Sequence, residues 1–76
     1  MSVKKVIRDN VGEYQLEWSV SSTKGFFDVN VWKGATLVME WSYPRVKGCG
    51  GLLGHVSFWR DQAVLQAKAE EAEHDK

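Results

Sequence analysis

Residues 26–43 read FFDVNVWKGATLVMEWSY, and the way this stretch folds back on itself decides the architecture. Polar and apolar residues alternate on both sides of the Lys33-Gly34 pair. Alternation with period two marks strands with one buried face, so the stretch is a β-hairpin. Phe27, Val29 and Val31 form the apolar set before the turn. Ala35, Leu37, Met39, Trp41 and Tyr43 form it afterwards, with Thr36, Val38, Glu40 and Ser42 on the other face.

Parity selects the turn. A two-residue turn at Lys33-Gly34 would pair Trp32 with Ala35, setting Asn30 against Leu37 and Asp28 against Met39 and mixing the two faces. A three-residue loop, Trp32-Lys33-Gly34, pairs Val31 with Ala35, Val29 with Leu37 and Phe27 with Met39. It also puts Gly34 where a turn followed by a bulge needs a positive φ, which glycine adopts without steric cost. The expectation is that Trp41 lies in the core and Trp32 at an exposed hairpin tip.

Upstream, residues 13–20, EYQLEWSV, alternate without a fault and give a strand with Tyr14, Leu16, Trp18 and Val20 inward. Residues 21–25, SSTKG, are a turn cluster. A four-residue loop from Ser21 to Lys24 pairs Trp18 with Phe27 and Leu16 with Val29. A first strand over roughly 3–9 carries Lys4, Lys5 and Arg8, charges that suit a sheet edge. Downstream, Pro44 ends the ladder, and RVKGCGGLLG follows as the most mobile inner segment. Residues 52–58, LLGHVSF, admit a short fifth strand, with a helix from about Trp59. On that helix Phe58, Leu65, Ala69 and Ala72 form a thin apolar side, while Trp59, Ala63 and Ala67 drift to another. The acids Glu70, Glu71, Glu73 and Asp75 oppose the helix dipole, so residues 70–76 are expected to fray. The fold class is α+β: an antiparallel meander of four strands, or five, with one C-terminal helix on its apolar face. Residues 1–76 form a single domain.

A chain of 76 residues buries only roughly 60–65% of its unfolded surface, so its core is marginal unless supplemented. Four Trp, three Phe and two Tyr are the supplement, each ring burying on the order of 150–250 Å². The single Cys49 rules out an internal disulfide framework and suits a reducing interior. MSVKKVIRD has bases but no apolar stretch behind them, and no run approaches the length of a membrane helix. The expected location is cytoplasmic. Ten basic and ten acidic residues cancel, which weighs against a nucleic-acid binder that neutralises phosphates.

Motifs of catalysis are absent. GCGGLLG (48–54) has Leu53 where a dinucleotide fingerprint needs glycine, and no Gly-Lys-Ser/Thr for a phosphate loop. The expected helix start does not follow the glycines directly, so no dipole is aimed at them. The segment reads as a flexible connector. Cys49 and His55 lack an orienting third group for nucleophilic catalysis, and read as a bystander thiol and a loop histidine. One Cys, His55 and His74 fall short of a structural zinc site. The reading is no enzyme, no metal and no cofactor.

Surface character remains. The outer sheet face collects Glu13, Glu17, Asp28 and Glu40 with apolar spots at Phe26 and Val38, and the bases lie elsewhere. The plainer reading is a solvated face. The sharper one is a protein-binding surface made of Trp32, Phe26, Glu13, Glu17, Asp28, Glu40, Tyr43 and Arg45, in which Trp32, Phe26, Tyr43 and Arg45 are of the aromatic and arginine types enriched at protein interfaces. An acidic face would complement a partner with a basic surface. On this reading the chain is a small inhibitor, adaptor or regulatory subunit. In size and architecture it resembles the compact accessory proteins that phages use against host defence or transcription. In element order it is also similar to whirly-type and related coactivator domains, which implies single-stranded nucleic-acid binding as a dimer through Lys24, Lys33, Arg45 and Lys47. The acidic outer face makes nucleic acid the less favoured partner. A thin helix stripe and a marginal core point to a homodimer, through the helix or an edge strand.

Overall fold

The computed structural model describes residues 5–74. Four antiparallel strands follow one another in order, β1 (Val6–Val11), β2 (Tyr14–Val20), β3 (Phe26–Lys33) and β4 (Thr36–Pro44), and one helix, α1 (Leu52–His74), closes the chain. This is the expected α+β meander, with the helix across one face of the sheet. Residues 3 and 4, assigned to the first strand, and residues 75 and 76 lie outside the described residues.

Two hairpins turn in the same way. Val11 pairs with Tyr14 around Gly12-Glu13, and Lys33 pairs with Thr36 around Gly34-Ala35. The leading glycines have φ of 59° and 62°, the positive value that the first central position of a type II′ turn requires. The three-residue loop Trp32-Lys33-Gly34 is therefore corrected: the bend is Gly34-Ala35, and Trp32 lies inside β3 rather than at a tip. A bulge reconciles this short turn with a sorted core. Trp32 pairs with Leu37 and Val31 with Met39, which leaves Val38 unpaired; Val29 then meets Trp41 and Phe27 meets Tyr43. One extra residue exchanges the faces of everything before it. Leu37, expected inward, joins Trp32 on the open face, and Val38, expected outward, packs against the core.

The β2–β3 loop is displaced by one residue from the expected Ser21–Lys24. Val20 pairs with Phe27, Trp18 with Val29 and Leu16 with Val31. The faces survive because the pairing shifts by two. Tyr14, Leu16, Trp18, Phe27, Val29, Val31, Met39 and Tyr43 form the sheet half of the core, each side chain contributing about 1.5–3 kcal/mol on burial. The Trp18 indole N–H has no acceptor there, so packing alone fixes that ring. Trp41 does not join the core. Its register puts it on the helix-bearing face opposite Val29, but β4 is the outermost strand and the ring is 48% exposed.

Residues 52–58 are helical, not a fifth strand. Gly51 caps the helix, its carbonyl accepting the His55 N–H at 3.2 Å. Gly54, read as a connector residue, is a contact: a Cβ there would lie 1.7 Å from the Cys49 carbonyl oxygen. The helix therefore starts directly after the glycines, contrary to expectation. This early start adds Leu52 and Val56 to the side that Trp59, Ala63 and Ala67 share, and that side is the buried one. Leu52, Val56, Ala63, Val64 and Ala67 are buried, and the small Ala63 and Ala67 let the helix lie close to the sheet. The stripe Phe58, Leu65, Ala69 and Ala72 is exposed instead.

Candidate protein-binding face

The face opposite the helix is open, and register orders its side chains into rows. Asn10, Gln15, Trp32 and Leu37 make the row nearest the two hairpin turns. Next come Arg8, Glu17, Asn30 and Glu40, then Val6, Ser19, Asp28 and Ser42. Phe26 beside Pro44 ends the face. Apolar poles at Trp32-Leu37 and Phe26-Pro44 thus flank a polar, acidic centre, about 20 Å apart at roughly 3.4 Å per residue.

Glu17 organises the first pole. Its Oε1 accepts the Trp32 indole Nε1–H at 3.1 Å, and its Oε2 accepts the Arg8 Nε–H at 3.1 Å. The indole is therefore tethered to β2 through its N–H and half-buried, rather than projecting from a loop. Holding the ring in one rotamer removes ordering entropy that a contact would otherwise cost. Arg8 offsets the Glu17 charge, so the acidic character passes to exposed Glu40 and to Asp28, whose Oδ1 accepts the Ser42 hydroxyl at 2.6 Å.

The remaining candidates scatter. Glu13 lies in the first turn, 3.6 Å from Lys33. Tyr43 is in the core, its ring stacked on Trp59 with centroids 4.6 Å apart and its hydroxyl donating to Gln66 at 2.7 Å; burial pushes its pKa up. Lys24, Arg45 and Lys47 gather at the Phe26 end, where the Arg45 N–H donates to the Gly25 carbonyl at 2.9 Å. Lys33 lies at the opposite end of β3.

There Lys33 joins a polar clasp. Its ammonium is 3.1 Å from a Glu71 carboxylate oxygen, and the Tyr14 hydroxyl donates to the other oxygen. These hydrogen bonds, Tyr14 first and Lys33 second, hold the Glu71 carboxyl below its ordinary range. The bond to Glu71 raises both Tyr14 and Lys33. At the other side Arg60 pairs with Asp9 on β1. The clasp ties the acidic end of the helix to the sheet through Glu71.

His55 is a helix residue with 0% exposure, stacked on Phe27 with centroids 4.2 Å apart. Its Nε2 accepts the Val46 N–H at 2.9 Å and its Nδ1–H donates to the Gly51 carbonyl at 2.8 Å. The loop-histidine reading is corrected. Both ring nitrogens are engaged, so the imidazole has no lone pair to offer Cys49 as a base. Among the described residues, no cluster of three His, Cys, Asp or Glu side chains is gathered for a metal. No helix among them is long and apolar enough to cross a membrane.

Sequence reasoning missed Leu37 and the Glu17–Trp32 bond. The signal for the second was present: Glu17 and Trp32 both fall on outward parity. The signal for Leu37 was hidden by the bulge. No protein-family model matches the chain, and neither does any curated protein or solved structure.

Proposed function

We propose that the chain is a small, non-catalytic, cytoplasmic protein-binding module, acting as an inhibitor, adaptor or regulatory subunit of the kind found among phage accessory proteins. Its contact surface is the open sheet face. The observation that carries this reading is the Trp32 indole, locked to Glu17 at 3.1 Å beside the exposed Leu37. A half-buried indole held in place by a neighbouring carboxylate is the kind of aromatic anchor on which interface hot spots centre. The complementary partner presents a basic centre flanked by apolar pockets for Trp32-Leu37 and Phe26-Pro44.

Affinity capture with the full chain tests this. Wild type retains a partner from host extract in moderate salt, and Trp32→Ala or a Glu40→Arg exchange releases it by at least about tenfold, the equivalent of ~1.4 kcal/mol. A partner retained equally by both variants refutes the assignment of the face. An oligonucleotide that quenches Trp emission in a salt-dependent way would refute it in favour of single-strand binding at the Lys24-Arg45-Lys47 end.

A further inference from the structure

The two edges of the sheet are not alike. On β1, Arg8 and Asp9 stand on the edge strand and Lys5 just before it, and Asp9 is turned toward the helix to pair with Arg60. Charged and inward-pointing acidic side chains are devices that block edge pairing. On β4, the regular stretch from the bulge to Pro44 is Met39-Glu40-Trp41-Ser42-Tyr43, with one charge and a half-exposed indole. We propose that this edge docks a second copy of the chain, the two β4 strands pairing antiparallel about a two-fold axis at Trp41 to give one continuous eight-stranded sheet.

Backbone parity supports the register. The Arg45 N–H donates to the Gly25 carbonyl, in line with the β3–β4 pairing. In an antiparallel ladder, residues of that parity turn both backbone groups to the neighbour. Met39, Trp41 and Tyr43 therefore bond to β3, and the N–H and C=O of Glu40 and Ser42 face outward. With Trp41 on the axis, Glu40 stands opposite the second copy's Ser42, and their outward groups bond in both directions. The two Trp41 residues form a non-hydrogen-bonded pair, the closer kind, with Cα atoms about 4.5 Å apart. The neighbouring registers are worse. An axis at Glu40 opposes two carboxylates, which destabilises. An axis at Ser42 sets Glu40 against Pro44, which has no N–H, and an axis at Met39 runs into the bulge at Val38.

The helix completes the surface. Trp59 and Gln66 contact Tyr43 on β4, whereas Arg60 reaches β1. Phe58 meets the Trp59 ring edge-on, with centroids 5.0 Å apart, and is 53% exposed. A two-fold axis perpendicular to the sheet puts both helices on the same face. Each helix rests on β2, β3 and β4, so the two helices stand about three strand spacings apart, roughly 14 Å. Directly packed helices are about 8–10 Å apart. Trp41 from below and Phe58 beside Trp59 line that gap. A five-residue edge alone falls short of the roughly 1,000 Å² of a specific interface, so the pairing also requires the Trp41 and Phe58 rings to be covered across the axis.

Sedimentation of the purified full chain, with no other protein present, tests the proposal independently of the open face. Wild type should run at twice the 8.6 kDa chain mass in the micromolar range. Trp41→Lys, a change at a half-exposed position, should run as a folded monomer with unchanged circular dichroism. In a Cys49→Ser background, Trp41→Cys should oxidise to a disulfide-linked dimer, because the paired Cα distance suits a disulfide, and Glu40→Cys should not. A wild-type chain still monomeric at submillimolar concentration overturns the proposal. So does a Trp41→Lys variant that sediments like wild type, or Glu40→Cys crosslinking as readily as Trp41→Cys.

Discussion

His55 and Val46 are joined through the imidazole: Nε2 accepts the Val46 N–H at 2.9 Å while Nδ1–H holds the Gly51 carbonyl at 2.8 Å. One buried ring thus fastens both ends of the glycine-rich segment to the first turn of the helix. His55→Ala should cost about 2–4 kcal/mol, combining a cavity beside Phe27 with two stranded backbone groups. Urea unfolding measures it; a loss under about 0.5 kcal/mol, the usual range of a surface change, contradicts the clasp.

Gly54 is a second fastening in the same place. An alanine methyl would lie 1.7 Å from the Cys49 carbonyl oxygen, a backbone atom. Gly54→Ala should therefore lose about 1–3 kcal/mol by overpacking, despite alanine's better helix propensity. An exposed helical glycine would instead gain stability on the same change, so the sign of the shift in thermal midpoint decides.

The Glu71 clasp sets the pH limits. Glu71 is held below its unfolded value by Tyr14 and Lys33, so its contribution is present above the ordinary carboxylate range and lost as pH falls through the lowered value. Lys33 and Tyr14 are raised by Glu71. Their contribution is complete below the ordinary range of each group and lost as pH rises through the raised values. Glu71→Gln should flatten both limbs of a stability-pH curve relative to wild type. Limbs identical to wild type would show that the clasp does not persist in solution.

The bulge inverts the usual rule for β4. Leu37→Asp, on the open face, should change stability by no more than about 0.5 kcal/mol, whereas Val38→Asp, against the core, should cost about 1–3 kcal/mol. Strict alternation through residues 35–43 demands the opposite order.

That inversion marks where the sequence ran out. Tyr14, Leu16, Trp18, Phe27, Val29 and Val31 were legible because alternation fixes faces even when a loop is misplaced, provided pairings slip by even steps. The β2–β3 loop slipped in that way and kept its faces. The bulge was illegible, since one unpaired residue leaves no mark in composition, and it carried Leu37 and Val38 to the wrong sides. The helix start was missed because Gly54 resembles a breaker, when glycine is demanded there by the Cys49 carbonyl. Without Leu52 and Val56 on the helix, the Phe58-Leu65 side and the Ala63-Ala67 side were not ranked, and the second is the buried one. Of the contact face, Glu17, Phe26, Asp28, Trp32 and Glu40 were read from parity or composition. Alternation had already set Tyr43 on the apolar face, and its place in the contact surface rested on residue type alone; the ring is in the core, stacked on Trp59.

Site-specific photo-crosslinking shows which face of the molecule meets a partner. A benzophenone side chain replaces Leu37, beside the Glu17-bound Trp32, or Lys68, exposed on the back of the helix. Crosslinking in host extract should join Leu37 to one protein partner, competed away by unlabelled wild type and not by Trp32→Ala, with no such adduct from Lys68. An adduct from Lys68 with none from Leu37, or a Leu37 adduct that Trp32→Ala competes as well as wild type, would put the contact surface elsewhere.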